Sequence, residues 1–234
     1  KNKFIFHSRL SIQDPSKKSN QPMIKRVNNR KHTFIFNGEI YNFKKLRSEM
    51  MSKNKIKTKG DSEILFLSYL NNENKCDLMK KLKGMFSFLV IKDDDEIFFA
   101  RDRYGQKPLY FLENDKIIVF SSEIKPLLKI LGKCELNDDE INKYILHNSY
   151  FNKKDTFYKN IKQVSAGEYG LIKNNNIYLR KYYNHPYKEK KISNKNFFNL
   201  FKKNILLHAT SDKKIALSLS SGIDSQSIAH VLFK

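Results

Sequence analysis

The sequence predicts an α+β fold, antiparallel sheets with helices, followed by the start of an α/β unit. Three observations lead there. Runs of aromatic and β-branched residues separated by short turns fill residues 85–120, as in an antiparallel sheet. Stretches with apolar residues at helical spacing interrupt such runs. Near the C-terminal end, a short apolar run passes through small residues into a further helical pattern, which is how a parallel α/β unit opens.

Taken in order, residues 4–6 (Phe-Ile-Phe) and 33–36 read as strands, and residues 41–52 as a helix. Asp61 is placed as the cap of a second helix over 62–71, whose apolar stripe is Ile64, Leu65, Leu67, Ser68 and Leu70. A shorter helix covers 76–82. Four strands follow at 85–91, 96–100, 108–112 and 117–120, then helices at 122–131 and 137–146. Residues 167–172 and 177–182 form a hairpin around 173–176. The polar, basic, Pro-containing stretch 183–191 is a linker. A helix over 194–209 is expected to bury Phe197, Phe198, Leu200, Phe201, Ile205 and Leu206. A strand over 214–219 and a helix over 227–233 complete the chain. The expected division is one domain over 1–187 and the opening of a second over 192–234.

The 234 residues, 40% of them hydrophobic, suffice for one large domain or one and a half small ones. No apolar run is long enough to cross a bilayer, and residues 1–9 lack the pattern of a signal peptide. Two cysteines, Cys76 and Cys134, suit a reducing compartment, so the expected location is the cytoplasm, with no membrane partner. The net charge of +21 raises a nucleic-acid-binding module as a rival reading. The excess is nearly all Lys and spread along the chain, whereas phosphate and base recognition favours clustered Arg. Solvated lysine faces are the better explanation, and no nucleic-acid partner is expected. Because it starts on Lys1 and stops at Lys234 within a helical pattern, the chain is expected to be an internal piece of a longer protein.

The most informative run is Leu217-Ser218-Leu219-Ser220-Ser221-Gly222-Ile223-Asp224-Ser225. A strand entering a helix through small residues gathers free backbone N–H groups at the positive end of the helix dipole, an anion site. It is not a Walker A loop, because no Gly-Lys-Ser/Thr follows at the required spacing. It resembles the pyrophosphate loop of enzymes that cleave ATP to AMP and pyrophosphate.

Four further motifs recur in fixed order: Arg9-Leu10-Ser11-Ile12; Asn37-Gly38-Glu39-Ile40-Tyr41-Asn42; Gly60-Asp61-Ser62-Glu63; and Arg101-Asp102-Arg103-Tyr104-Gly105-Gln106-Lys107-Pro108-Leu109-Tyr110. Ser121-Ser122-Glu123-Ile124-Lys125 adds a fifth. Singly each has a plain reading: a hairpin turn for Asn37-Gly38, a cap for Asp61, surface or internal ion pairs for Arg9 and for Arg101 with Asp102. Together they resemble the glutaminase domain of glutamine-dependent asparagine synthetases, a class II amidotransferase with the N-terminal-nucleophile fold. The downstream loop favours that branch over relatives carrying other synthase domains.

The resemblance implies that Asn37 and Gly38 form the oxyanion hole, and that Arg9 holds the α-carboxylate of glutamine by its planar fork. It implies that Asp61 holds the α-ammonium, with Glu39 as a further contact and backbone groups of Leu10, Ser11, Ile12 and Gln13 lining the pocket. It also implies ATP contacts from Leu219, Ser220, Ser221, Gly222, Asp224 and Ser225, with Asp224 facing Mg2+. Ser221 replaces one of the two glycines usual in that loop. The family nucleophile is an N-terminal cysteine; neither Cys76 nor Cys134 fits that role, so this chain by itself is expected to bind glutamine weakly at best and not to hydrolyse it. The implied substrates are glutamine, aspartate and ATP. A homodimer is left open, and so is an acceptor carboxylate other than aspartate, such as a sugar acid or secondary metabolite.

Overall fold

The computed structural model describes residues 3–51, 55–148, 154–174, 176–184 and 191–233. Its larger sheet has six antiparallel strands in the order β1-β2-β3-β4-β8-β9: β1 Met23–Val27, β2 Arg30–Ile40, β3 Gly84–Lys92, β4 Ile97–Arg101, β8 Glu168–Lys173 and β9 Asn176–Lys181. A smaller sheet, order β6-β5-β7, comprises β5 Tyr110–Glu113, β6 Ile118–Ser121 and β7 Lys162–Gln163. Helices α1 Phe43–Met50, α2 Asp61–Asn71 and α3 Lys75–Lys81 lie between β2 and β3 in the chain, and α4 Ile124–Leu131 and α5 Asp138–His147 follow β6.

Strict alternation along β2, β3 and β4 sorts two cores onto the two faces of the large sheet. Phe34, Phe36, Phe86, Phe88, Val90 and Phe98 turn to the helical side. There Phe34 stacks on Phe66 of α2, ring centroids 4.8 Å apart and planes 7° from parallel. Leu89 and Phe99 turn the other way, onto Leu109, Phe111 and Val164 beneath the small sheet. Every residue of α2 from Asp61 to Tyr69 is buried, so the helix is covered nearly all round rather than along one stripe.

Several expectations change. Residues 4–6 form no strand: Phe4 and Phe6 are 80% and 88% exposed, and their aromatic character finds no sheet face to cover. The unforeseen β1 pairs with β2 through Asn28 and Asn29, both at positive φ (50° and 61°), as a two-residue hairpin turn requires. The two-residue β7 was also unforeseen. Asp61 is the first residue of α2 rather than its cap; Gly60 holds that position.

Helix α6, Asn194–His208, forms, but no residue of it is buried; Phe197, Phe198, Leu200 and Leu206 are exposed. Residues 214–219 form no strand, because no described strand lies beside them to complete a ladder. Helix α7 spans Ile223–Leu232, starting four residues before its expected place at 227. The linker assigned to 183–191 lies mostly outside the described residues. Among the described residues, no helix is long and apolar enough to cross a membrane.

Candidate active site

The site is assembled from three separate segments. The first is the C-terminal end of β2. Asn37 lies opposite Ser87 of β3 and Gly38 opposite Phe86. Gly38 has φ +141°, a backbone state that excludes side chains, and a Cβ there would sit 2.0 Å from Met85 O and 2.8 Å from Phe86 Cα. Its backbone can take this position only because it is glycine.

The second segment is the start of α2. Asp61 is buried, and its Oδ2 accepts the N–H of Ile40 at 2.8 Å, while Ser62 Oγ donates to Oδ1 at 3.4 Å. The carboxylate is thereby fixed beside the Asn37-Gly38-Glu39 run. Burial pushes the Asp61 pKa up, against the backbone and Ser62 hydrogen bonds that favour its charge. Half-buried Glu39 is also raised, by desolvation and then by the Asp61 charge, with Lys107 opposing. The two carboxylates feel each other and together present negative charge suited to a cation.

The third segment is the loop of residues 9–21. It runs along the edge of β2 that β1 leaves open: Phe36 N donates to Gln21 Oε1 at 2.6 Å, Gln21 Nε2 donates back to Phe36 O at 3.1 Å, and His7 Nε2 lies 3.1 Å from the same oxygen. Arg9 organises this loop from within. Its Nη2 donates to Gln13 O at 2.8 Å and Asp14 O at 2.5 Å, and its Nη1 to Ser16 O at 3.1 Å and Asn20 Oδ1 at 3.3 Å. The fork expected to face a substrate carboxylate is engaged here by loop oxygens. Leu10 is 84% exposed, Ser11 and Ile12 are half-buried, and Gln13 is buried.

Asp14, which the sequence reading passed over, joins the third segment to the second. Its Oδ2 accepts Lys59 N and Ser19 Oγ, both at 2.7 Å, and its Oδ1 accepts Ser16 N at 3.1 Å. Desolvation would raise its pKa, but these bonds outweigh it and hold the carboxyl below the usual aspartate range. The available signal was Asp14-Pro15-Ser16, a side-chain-closed turn of the Asx type. Asp102 plays a comparable part beneath Gly38. It is fully buried and accepts Phe86 N at 3.2 Å and Tyr104, Gln106 and Lys107 N at 3.0 Å each. Arg101 donates to the carbonyls of Lys107, Val164 and Gly105 at 2.8, 2.6 and 2.7 Å. Both members of that motif therefore tie the backbone of the loop that follows them to distant segments, Arg101 to Val164 and Asp102 to Phe86.

Two contacts tie the C-terminal segment to this region: Asp14 N donates to Asp212 Oδ2 at 2.9 Å, and the His208 ring of α6 lies 4.2 Å from that of buried Tyr41. In the loop that opens α7, Ser220 Oγ and Ser225 Oγ are 2.9 Å apart, and Gly222 N donates to Ser220 Oγ at 3.2 Å. Gly222 is the N-cap, and the first-turn N–H groups of α7 have no partner within the helix. Leu219, Ser220, Ser221, Gly222 and Asp224 are exposed and Ser225 is half-buried. Ser221 is not at positive φ, so a side chain costs nothing conformationally. Asp224 is the sole acid of the first turn, and no cluster of three or more metal-ligating side chains occurs among the described residues.

Neither cysteine is placed to react here. Cys76 packs against the main core from α3, and desolvation with Glu135 raises the Cys134 thiol, opposite to activation.

Comparison with known proteins gives the class of this domain: it is a glutamine amidotransferase domain. The family model described by that name matches residues 1–183, and the chain belongs to this family. Among curated relatives, asparagine synthetase [glutamine-hydrolyzing] 1 of Bacillus subtilis is 30% identical over 231 residues, covering 95% of this chain and 35% of the relative. Asparagine synthetase [glutamine-hydrolyzing] 3 of the same organism is 26% identical, covering 96% and 37%. The chain thus spans little more than a third of their length. Among solved structures, the glutamine phosphoribosylpyrophosphate amidotransferase of B. subtilis, complexed with ADP and GMP, matches at TM-score 0.57 and 18% identity, covering 76% of this chain and 34% of that one. That likeness is one of fold, and it agrees with the α+β architecture of two antiparallel sheets and their helices.

Proposed function

We propose that this chain carries the glutamine site of a glutamine-hydrolysing asparagine synthase, which amidates aspartate with ammonia from glutamine while ATP goes to AMP and pyrophosphate. In this reading residues 1–187 are the glutaminase domain and residues 192–234 open the synthetase domain. The observation that carries it is the 2.8 Å bond from Ile40 N to Asp61, which sets a buried carboxylate against the strand end bearing Asn37 and Gly38.

Asp61 receives the α-ammonium of glutamine, assisted by Glu39. The α-carboxylate goes to the backbone of Leu10, Ser11, Ile12 and Gln13 and to Arg9, whose fork exchanges loop oxygens for substrate oxygens on binding. The Asn37 side-chain amide and the Gly38 N–H donate to the oxyanion that forms when the side-chain amide is attacked, since preset donors stabilise charge that develops only then. The first-turn N–H groups of α7 and the hydroxyls of Ser220, Ser221 and Ser225 suit phosphate oxygens, beside Leu219 and Gly222. Asp224 supplies one carboxylate, so magnesium would sit between it and phosphate oxygens, neutralising charge on the leaving pyrophosphate.

Calorimetric titration of the chain with L-glutamine tests the reading. Saturable binding that Asp61→Asn abolishes supports it; no binding by the unsubstituted chain up to millimolar glutamine, the usual range of substrate affinities, refutes it.

A further inference from the structure

The geometry points to a docking groove for an acidic, extended peptide segment along the open edge of β1, a surface independent of the glutamine site. Strand β1 ends the order of the large sheet; β2 pairs with one of its edges and no described strand pairs with the other. The register says which groups face that open edge. Phe36 N and O both point to the β1 side of β2, where Gln21 takes them up. Hydrogen-bonding direction alternates along a strand, so Phe34, His32 and Arg30 point the same way and close on Met23, Lys25 and Val27. The Asn28-Asn29 turn agrees, since a two-residue hairpin closes on such a pair. Ile24 and Arg26 therefore turn their N–H and C=O groups outward, and no described residue bonds to them.

That edge is one wall of a groove of about 420 Å³. The facing wall carries Lys55, Lys57 and the C-terminal half of α2, where Leu70 lies about 14 Å along the helix from Asp61. Val27, Leu67 and Leu70 make the groove apolar, and Lys25, Arg26, Lys55 and Lys57 charge it. Of these four cations only Lys25 has a bonded acid. Its Nζ lies 2.8 Å from Glu63 Oε1, and the other Glu63 oxygen is taken by the N–H groups of Lys57 and Thr58. Arg26 feels the Asp93 carboxylate without bonding to it, and Arg26, Lys55 and Lys57 are exposed.

Lysine and arginine on an edge normally keep strands from pairing. Here they choose the partner. A second copy of this chain would set Lys25 and Arg26 against like charges across the new ladder. A segment alternating acidic and apolar residues meets every feature of the groove. Its backbone takes up the outward groups of Ile24 and Arg26 as an added strand, its apolar side chains cover Val27, Leu67 and Leu70, and its carboxylates reach Arg26, Lys55 and Lys57.

The test is fluorescence anisotropy of the chain with a labelled hexapeptide of alternating Val and Glu. Binding is expected, and Arg26→Glu combined with Lys57→Glu should weaken it about tenfold or more. Methylating the peptide amides of one alternating set should abolish binding, while methylating the other set spares it, because only one set faces β1. Both substituted residues are exposed, so the variant should keep the wild-type melt; if it melts lower, the pair of methylated peptides still decides. No binding up to about 1 mM overturns the proposal. So does binding that both methylations affect alike, or that a Glu-only peptide or a single-stranded oligonucleotide matches, since charge alone would then be the cause. A dimer in sedimentation that the double variant disperses overturns it in favour of a second copy.

Discussion

Replacing Gly38 by Ala isolates the backbone state on which the oxyanion site depends. The added Cβ meets Met85 O at 2.0 Å and Phe86 Cα at 2.8 Å, both backbone atoms of β3 that no rotamer change can move. Overpacking of this kind costs about 1–3 kcal/mol, and a side chain at φ +141° adds roughly 1–3 kcal/mol. The sum, about 2–6 kcal/mol, corresponds to a melting-temperature drop of roughly 4–24 °C for a domain of this size. Gly84 supplies the internal comparison. It sits opposite Ile40, and a Cβ there would lie 2.1 Å from Glu39 O, but no positive φ is involved. Gly84→Ala should therefore show the packing cost alone and melt above Gly38→Ala. The assay is thermal denaturation followed by circular dichroism, with glutamine titration of whatever remains folded. A Gly38→Ala protein melting within about 1 °C of wild type, less than about 0.5 kcal/mol, would refute the reasoning, as would a Gly84→Ala protein that is the less stable of the two.

Asp102→Ala leaves the N–H groups of Phe86, Tyr104, Gln106 and Lys107 without their acceptor, at about 1–3 kcal/mol for each that stays buried. Set against a total stability of about 5–15 kcal/mol, the variant should lose its cooperative unfolding transition, while Asp102→Asn keeps one acceptor oxygen and retains it. Because burial raises the Asp61 pKa, glutamine affinity should begin to fall on acidification above the ordinary aspartate range. Calorimetry across pH 4–8, the range bracketing that step, checks it. Asp212→Ala removes the acceptor of Asp14 N; amide exchange at Asp14 should accelerate while Lys59, held by the Asp14 carboxylate, stays protected.

Much of the fold was legible because period-2 alternation and helical spacing act locally: α2, β3, β4 and the β8–β9 hairpin fall within a few residues of where the pattern puts them. The misreadings have a common physical origin in partnership. Phe4-Ile5-Phe6 has strand chemistry but no sheet face, and residues 214–219 have it but no neighbouring strand. By contrast Met23–Val27, basic and half polar, becomes a strand because the Asn28-Asn29 turn returns it onto β2. At the site, Gly38 and Asp61 were visible as residue types in a recognisable order. What was not visible was how they are joined. Asp14, Gln21 and Asp102 each also hold a backbone amide distant in sequence, that of Lys59, Phe36 and Phe86 respectively, and no local pattern encodes those bonds.

Those joints divide the buried carboxylates into two kinds. Asp14 is held below the usual aspartate range by three hydrogen bonds, so it adds stability above that range and loses it as pH falls. Asp61 is raised, so the fold holds its proton more tightly than the unfolded chain does. The stability this contributes is present at low pH and lost as pH rises. At neutral pH the fold therefore favours the charge of Asp14 and tolerates that of Asp61 at a cost. Replacing each by Asn should give opposite signs: Asp14→Asn melts lower, because the Lys59 and Ser19 bonds lose their charged acceptor, whereas Asp61→Asn melts at or above wild type. Glutamine binding should fail in Asp61→Asn despite the firmer fold. A carboxylate that weakens the empty protein and is needed by the filled one is positioned for a cation that arrives with the substrate. Melts of the two variants decide it, and Asp61→Asn destabilised as much as Asp14→Asn would mean that Asp61 is held for structure alone.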